Sequence, residues 1–227
     1  MKARGENRRM RLTLSVFICH LALAGVAAAQ TRSTSTQSPS KGYIEAVAQS
    51  AFGNVTSQSF GAELGVRIAP DLHVFVEAGQ VRDTSPALLG QNAQLIAGFL
   101  SQTQAGASYT VKQPVTFGVA GLRYGRAIGS VEPYVLGGAG VGRVKRDVAF
   151  RVGGTDVTSN LQTQYGVTLG SDLSGDETKA MITLGGGVAW GPWQRLVIDL
   201  QYRYGRVMTS DEGLNVSRAG IGLGVRF

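Results

Sequence analysis

The sequence predicts an all-β protein, an eight-stranded antiparallel up-and-down transmembrane β-barrel. Three observations predict it: strands of about ten residues with one apolar face, connections that alternate between short and long, and a secretory leader ahead of them. No stretch after residue 29 has the roughly 18 consecutive apolar residues of a membrane-spanning helix. We therefore expect strands to be the elements that cross a bilayer.

The leader is a predicted signal peptide over residues 1–29. Five basic residues precede an apolar run over residues 12–26, and three alanines follow it at 27–29. The run is short for a membrane anchor, so cleavage after Ala29 is the prediction and a retained anchor is the alternative. Residues 30–41 are rich in Ser, Thr and Gln and are expected to form a flexible lead-in to one barrel domain over residues 42–227.

Removal of the leader changes the apparent charge of the protein. Residues 1–29 carry five of the 22 Lys and Arg residues and one of the 15 Asp and Glu residues, which leaves a net charge of +3. The basic character of the whole chain is therefore no argument for nucleic-acid binding, and none is expected. Cys19 lies within the leader, so the processed chain has no cysteine for a disulfide, a nucleophile or a metal site.

The strands are identified by strict alternation of side chains. From residue 219 to residue 227, every odd position is apolar and every even position is glycine or arginine. The first and fifth strands are also strand-like, but they contain too much glycine or alanine for a lipid-facing side to be assigned. The eight predicted strands cover residues 42–52, 60–69, 72–82, 115–125, 133–144, 182–190, 196–205 and 219–227.

The connections between these strands alternate in length. Those at residues 70–71, 126–132 and 191–195 are short, whereas those at 83–114 and 146–179 are long. Outer-membrane barrels have short periplasmic turns and longer external loops. Both termini are therefore predicted to lie in the periplasm.

Aromatic residues are predicted to form two girdles at the membrane interfaces. Phe60 and Tyr204 fall near the external ends of their strands, and Tyr124, Tyr134 and Trp190 fall near the periplasmic ends. Glycine is abundant, with 32 residues. Inward glycines such as Gly222 either make room for bulky neighbours or bend the sheet.

Charged residues occupy the face opposite the apolar one, so a charge network is predicted in the lumen. Neighbouring strands suggest two pairs, Arg67 with Glu77 and Glu45 with Arg226. The network is interpreted as a plug, and a gated polar path in which pairs exchange partners is the alternative. The predicted members are Glu45, Glu63, Arg67, Glu77, Arg123, Asp199, Arg203, Arg218 and Arg226.

Signals for catalysis are weak. His73 is the one histidine after the leader and is expected near the periplasmic rim, without the serine and carboxylate of a hydrolase. One histidine without cysteine makes a zinc site unexpected, and the glycines at 137–142 lack the spacing of a phosphate loop. We therefore expect no enzyme activity, no cofactor and no metal.

The long connection over residues 83–114 carries a helical period. Leu89, Ala93, Ile96 and Leu100 recur at helical spacing. A short amphipathic helix is predicted there. It either caps the barrel mouth, lies on the outer leaflet or simply orders the loop.

With these strand patterns, the chain resembles the small eight-stranded outer-membrane β-barrel family, which includes the OmpA transmembrane domain, OmpX and the opacity-type proteins. The resemblance implies a bacterial outer-membrane location, with membrane lipid and lipopolysaccharide as surroundings. It also implies that Phe227, with Leu223 and Val225, is the signal read by the barrel-assembly machinery. A shared fold does not imply a shared activity.

Three functions are compatible with this resemblance. The first is a non-enzymatic envelope protein whose lumen is plugged by charges and whose external loops bind a surface ligand. The second is a narrow pore for ions or small solutes, and the third is a lipid-modifying enzyme. A soluble β-sandwich or lipocalin-like barrel would instead turn the apolar faces inward.

Overall fold

The computed structural model describes residues 40–170, 173–193, 195–209 and 213–227. The predicted signal peptide lies outside these residues, as does all of the predicted lead-in except Ser40 and Lys41. The ten strands are β1 (Gly42–Phe52), β2 (Ser57–Ala69), β3 (Leu72–Val81), β4 (Ala107–Lys112), β5 (Val115–Gly125), β6 (Val131–Val152), β7 (Thr155–Asp156), β8 (Gly175–Trp190), β9 (Leu196–Val207) and β10 (Leu214–Arg226).

Eight of these strands close into a ring of antiparallel pairs. The order is β1, β2, β3, β5, β6, β8, β9 and β10, and β10 pairs again with β1. At the closure, the backbone N–H of Phe227 donates to the carbonyl of Gly42 at 2.9 Å. The predicted fold class, an eight-stranded antiparallel up-and-down transmembrane barrel, is confirmed.

The alternation of side chains fixes which face of each strand meets lipid. On the outer face of β10, Ile221, Leu223 and Val225 are 47–58% exposed, whereas Arg218 on the inner face of the same strand is 1% exposed. β1 and β6, whose faces the sequence left open, follow the same rule: Ile44 and Val135 point outward, and Glu45 and Leu136 point inward. The outer surface is therefore an apolar band around a filled interior.

The two ends of the barrel differ. Short turns lie at the end that carries Gly42 and Phe227, which we call the terminal end; one of them contains Asp71 at φ 63°, in the left-handed region that Asp tolerates. The other end, the loop end, carries the long connections. There β6 is longer than predicted because it continues past the barrel to pair with β4 and β7. Strand β8 is longer than predicted because its residues 175–181 also pair with β6.

The loop end bears a folded cap with its own apolar core. The cap consists of the two long connections, residues 83–114 and 145–175 as far as they are described, and includes β4, β7 and the end of β6. The predicted helix is present as α1 (Ala87–Thr103), followed along the chain by a one-turn helix, α2 (Leu161–Tyr165). Leu89, Ala93 and Leu100 of α1 are buried with Val148 and Phe150 of the β6 extension. The helix thus packs on strand residues outside the ring. Within the described residues, no helix is long and apolar enough to cross a membrane.

Candidate functional site

The interior of the barrel holds a dense group of charges, which we call the lumen cluster. Each member is at most 2% exposed. The members are Glu45, Glu63, Glu77, Arg123, Asp199, Arg203 and Arg218. Four carboxylates and three guanidinium groups withdrawn from water must compensate one another, because each uncompensated ion costs several kcal/mol.

Neighbouring strands bring like charges together in this cluster. Across β1 and β2, Glu45 lies directly opposite Glu63, and across β2 and β3, Glu63 lies opposite Glu77. On the other wall, Arg218 of β10 lies opposite Arg203 of β9. Like charges in such positions destabilise a sheet, so the acids of β1, β2 and β3 and the arginines of β9 and β10 require each other.

Attraction acts across the lumen instead of along the sheet. Arg203 Nη2 lies 2.5 Å from Glu63 Oε2, and its Nη1 lies 4.0 Å from Glu77 Oε2. Arg218 Nη1 donates to Glu77 Oε1 at 2.8 Å. Since these partners lie on strands far apart in the ring, the charges are satisfied only when the barrel is closed.

Arg123 occupies the centre of the cluster between two tyrosines. Its Cζ lies 3.6 Å from the ring centroid of Tyr134 and 4.7 Å from that of Tyr43. The Tyr43 hydroxyl donates to Glu63 at 2.5 Å, and the Tyr134 hydroxyl donates to Asp199 at 2.6 Å. Each ring therefore positions an acceptor beside the guanidinium, whose Nη1 lies 3.7 Å from both carboxylates.

Glycines opposite the tyrosines make this arrangement possible. Gly65 is paired with Tyr43 in the register, and Gly187 is paired with Tyr134. A Cβ atom at Gly187 would come within 2.6 Å of the Tyr134 hydroxyl oxygen, and a Cβ at Gly65 would enter the Tyr43 ring. Here glycine makes room for an inward side chain, the first of the two roles considered from the sequence.

The two ion pairs predicted from neighbouring strands are wrong. Arg67 lies opposite His73 in the register, and Glu77 is paired with Arg218 and Arg203. Arg226, half-buried at the terminal end, donates to Glu132 at 2.9 Å instead of meeting Glu45. The prediction considered adjacent strands only, whereas the partners lie across the lumen. Glu132 was missed because it falls in a segment read as a turn.

Four of the five residues predicted for the aromatic girdle lie on outward positions of their strands, namely Phe60, Tyr124, Trp190 and Tyr204. Their role at the membrane interfaces stays a prediction. Tyr134 is a correction: it is 5% exposed and points into the lumen. The sequence did not show which residues of β6 point inward, because small residues lie on both faces of that strand. Leu223, Val225 and Phe227 face outward, and their role in assembly stays a prediction.

A ring of buried apolar side chains, the apolar ring, lies between the lumen cluster and the loop end. Seven of the eight strands in the barrel contribute a residue to this ring. The remaining strand, β2, has the buried Ser59 at this level, which is 1% exposed. The members are at most 7% exposed, so their side chains are packed against one another or against neighbouring strands. They are Ala51, Val81, Val115, Val144, Met181, Val207, Leu214 and Val216.

Several buried polar atoms in the lumen cluster or beside it have no hydrogen-bond partner among the described residues. Both carboxylate oxygens of Glu45 are in this state, as are Arg123 Nε and Gln201 Nε2. His73 is 4% exposed, its ring meets Tyr43 edge-on at 5.7 Å, and its Nδ1 lacks a partner. Among the described residues, no group of His, Cys, Asp and Glu has the arrangement of a metal site.

The cap presents charged pairs at its surface. Arg146 donates to Glu177 at 2.8 Å, and Arg143 Nε donates to Asp176 at 2.9 Å. In the adjoining turn, hydrogen bonds from the side chain and backbone of Thr158 lower the pKa of the Asp156 carboxyl. Side-chain contacts thus hold parts of the cap surface together.

Comparison with solved structures identifies the architecture. Neisserial surface protein A matches with a TM-score of 0.51 and 15% identity, covering 83% of this chain and 98% of that one. The N-terminal β-barrel domain of Pseudomonas aeruginosa OprF matches with a TM-score of 0.50 and 14% identity, covering 82% and 96%. The chain has the fold of the small outer-membrane β-barrels. At these identities the likeness concerns the fold of the barrel alone.

Other comparisons find no relative. No protein-family model matches the chain, and no curated protein matches it.

Proposed function

We propose that this chain is a non-enzymatic, non-conducting protein of the bacterial outer membrane that contributes to envelope integrity and displays its cap as an interaction surface. The observation that carries the proposal is the double closure of the lumen. The lumen cluster fills the middle of the barrel, and the apolar ring follows it toward the loop end. Eight strands leave an interior that side chains alone can fill.

The cap supports the second half of the proposal. Its core of helix and strand residues includes Leu100 and Phe150, both 0% exposed. A surface held by such a core is preorganised, and binding to it costs little ordering entropy. We infer that this surface meets a ligand outside the cell, and that membrane lipid and lipopolysaccharide surround the barrel below it. The barrel-assembly machinery would act during insertion.

Conductance tests the closed lumen. We expect the refolded protein to give no single-channel steps in a planar bilayer, because the buried side chains of the lumen cluster and of the apolar ring fill the interior. A narrow pore is the alternative, favoured by the unpartnered polar atoms of Glu45 and Arg123. Regular steps whose size changes in Arg123→Gln would establish the pore and refute the plug.

Lysine labelling tests the orientation, in which we propose that the termini lie in the periplasm. Lys112 and Lys145 are exposed at the loop end, and Lys41 is exposed at the terminal end. A membrane-impermeant amine reagent applied to intact cells is expected to modify Lys112 and Lys145 and to spare Lys41. Disrupted cells are the control, where all three should react. Labelling of Lys41 alone in intact cells would reverse the orientation.

A further inference from the structure

Helix α1 has a second apolar face that its own cap leaves uncovered. Leu88, Leu95 and Phe99 are 64%, 74% and 50% exposed. They lie on the side of the helix opposite Ala93 and Leu100, which are fully buried in the cap. We call the exposed face, with Gln91, Gly98 and Gln102, the α1 stripe. Large apolar side chains grouped on an exposed face mark an interaction surface.

The α1 stripe carries no charge. None of the 17 residues of α1 is acidic or basic. The cap surface around the barrel mouth is different, since Arg143, Lys145 and Asp147 are 56–65% exposed there. A charged partner would therefore meet no opposite charge on α1.

The position of α1 argues against a lipid partner. On the outer face of β6, Val141 is the last exposed apolar residue before Arg143 and Lys145. Helix α1 packs against Val148 and Phe150. Seven residues beyond Val141 correspond to about 23 Å along the strand, at about 3.3 Å per residue. In addition, helices that lie on membrane surfaces carry Lys or Arg beside their apolar face, and α1 has none.

We propose that the α1 stripe binds the α1 stripe of a second copy of this chain. Two copies in one membrane have the same orientation, so their stripes lie at the same height. A two-fold interface requires a self-complementary surface, and an uncharged stripe meets its own copy without repulsion. Its positions 88, 91, 95, 98 and 102 follow the 3.5-residue period of paired helices. The glutamine amides both donate and accept hydrogen bonds.

The size of the stripe sets the character of this dimer. A helix of 17 residues is about 25 Å long at 1.5 Å per residue. One helix pair buries less than the roughly 1,000 Å² of a stable interface in solution. Confinement in a membrane raises the effective concentration of the two copies for each other, which favours their association. The dimer is thus reversible and forms in the membrane, and it is lost on dilution in detergent.

Cysteine cross-linking in intact outer membranes tests the proposal. All variants carry Cys19→Ser, so that one introduced cysteine is the only thiol. Under mild oxidation, Leu95→Cys is expected to give at least fivefold more disulfide-linked dimer than Thr110→Cys, an exposed position on β4 away from the stripe. Equal cross-linking at both positions would refute the proposal. So would an adduct whose mass is not twice that of the chain.

Charge reversal separates a specific pair from random collision. With Gln102→Cys as reporter, Leu95→Glu and Leu95→Lys are each expected to lower the cross-linked fraction at least fivefold, because like charges then face each other. Co-expression of the two variants is expected to restore it. Insertion is monitored by the gel shift between unheated and boiled samples. Correctly inserted variants that cross-link as the parent does, or fail to recover on co-expression, would overturn the proposal.

Discussion

Arg203→Met is expected to destabilise the refolded barrel by about 3–5 kcal/mol, the cost of leaving buried charges without their partner. Arg203 is 0% exposed and lies between Glu63 and Glu77, which oppose each other in the register of β2 and β3. Methionine keeps much of the volume but removes the cation that holds these carboxylates together. Urea titration in detergent micelles, followed by the fluorescence of the two tryptophans, measures the change.

An exposed ion pair provides the control for this prediction. Arg143 is 65% exposed and pairs with Asp176. The same substitution there, Arg143→Met, is expected to change the free energy of unfolding by less than about 1 kcal/mol. A double-mutant cycle with Glu63→Gln tests the partner directly, since neutralising Glu63 should recover part of the loss. If Arg203→Met and Arg143→Met cost the same, the cross-lumen pairing has no structural importance.

The second large effect is expected in the cap. Leu100→Ala should destabilise the cap locally by about 2–5 kcal/mol, because Leu100 is 0% exposed among Ala93, Val148 and Phe150. Every 1.4 kcal/mol is a factor of ten in the opening equilibrium. Limited proteolysis of the cap, which follows that equilibrium when opening is fast, should accelerate at least tenfold. The barrel should keep its heat-dependent gel shift.

Leu88→Ala is the matched control on the same helix. Leu88 is 64% exposed, so truncation creates no cavity, and the expected change is within about 0.5 kcal/mol. If Leu88→Ala and Leu100→Ala accelerate proteolysis equally, α1 is not held by the core that includes Phe150. Loss of the barrel gel shift in Leu100→Ala would mean that the cap and the barrel unfold together.

The sequence was informative wherever the two faces of a strand differ in polarity. On β9, Leu200 and Tyr202 alternate with Asp199 and Arg203, and the structure places them outside and inside as the pattern requires. The helix in the long connection was also readable, since Leu89, Ala93 and Leu100 share the face that is buried. In both cases one period of the sequence corresponds to one face of one element.

The pattern failed where both faces are small. On β6, glycine or alanine occupies four consecutive positions, 137–140, so the direction of Tyr134 could not be read, and it was assigned to the girdle instead of the lumen. The extension of β6 past the barrel was missed as well. That extension pairs with β4, which lies in a different connection, and a local pattern does not reveal such a partner.

By itself, the sequence determined the class of fold, the number of strands in the ring and the side of most of them that meets lipid, because a two-residue period gives the direction of each side chain. Only the tertiary structure decided which charges meet. Glu63 faces Arg203 across the lumen, 140 residues away in the chain, while its neighbours in the register are acids. Pairing across a closed ring depends on closure, register and strand order together, and no single strand carries that information.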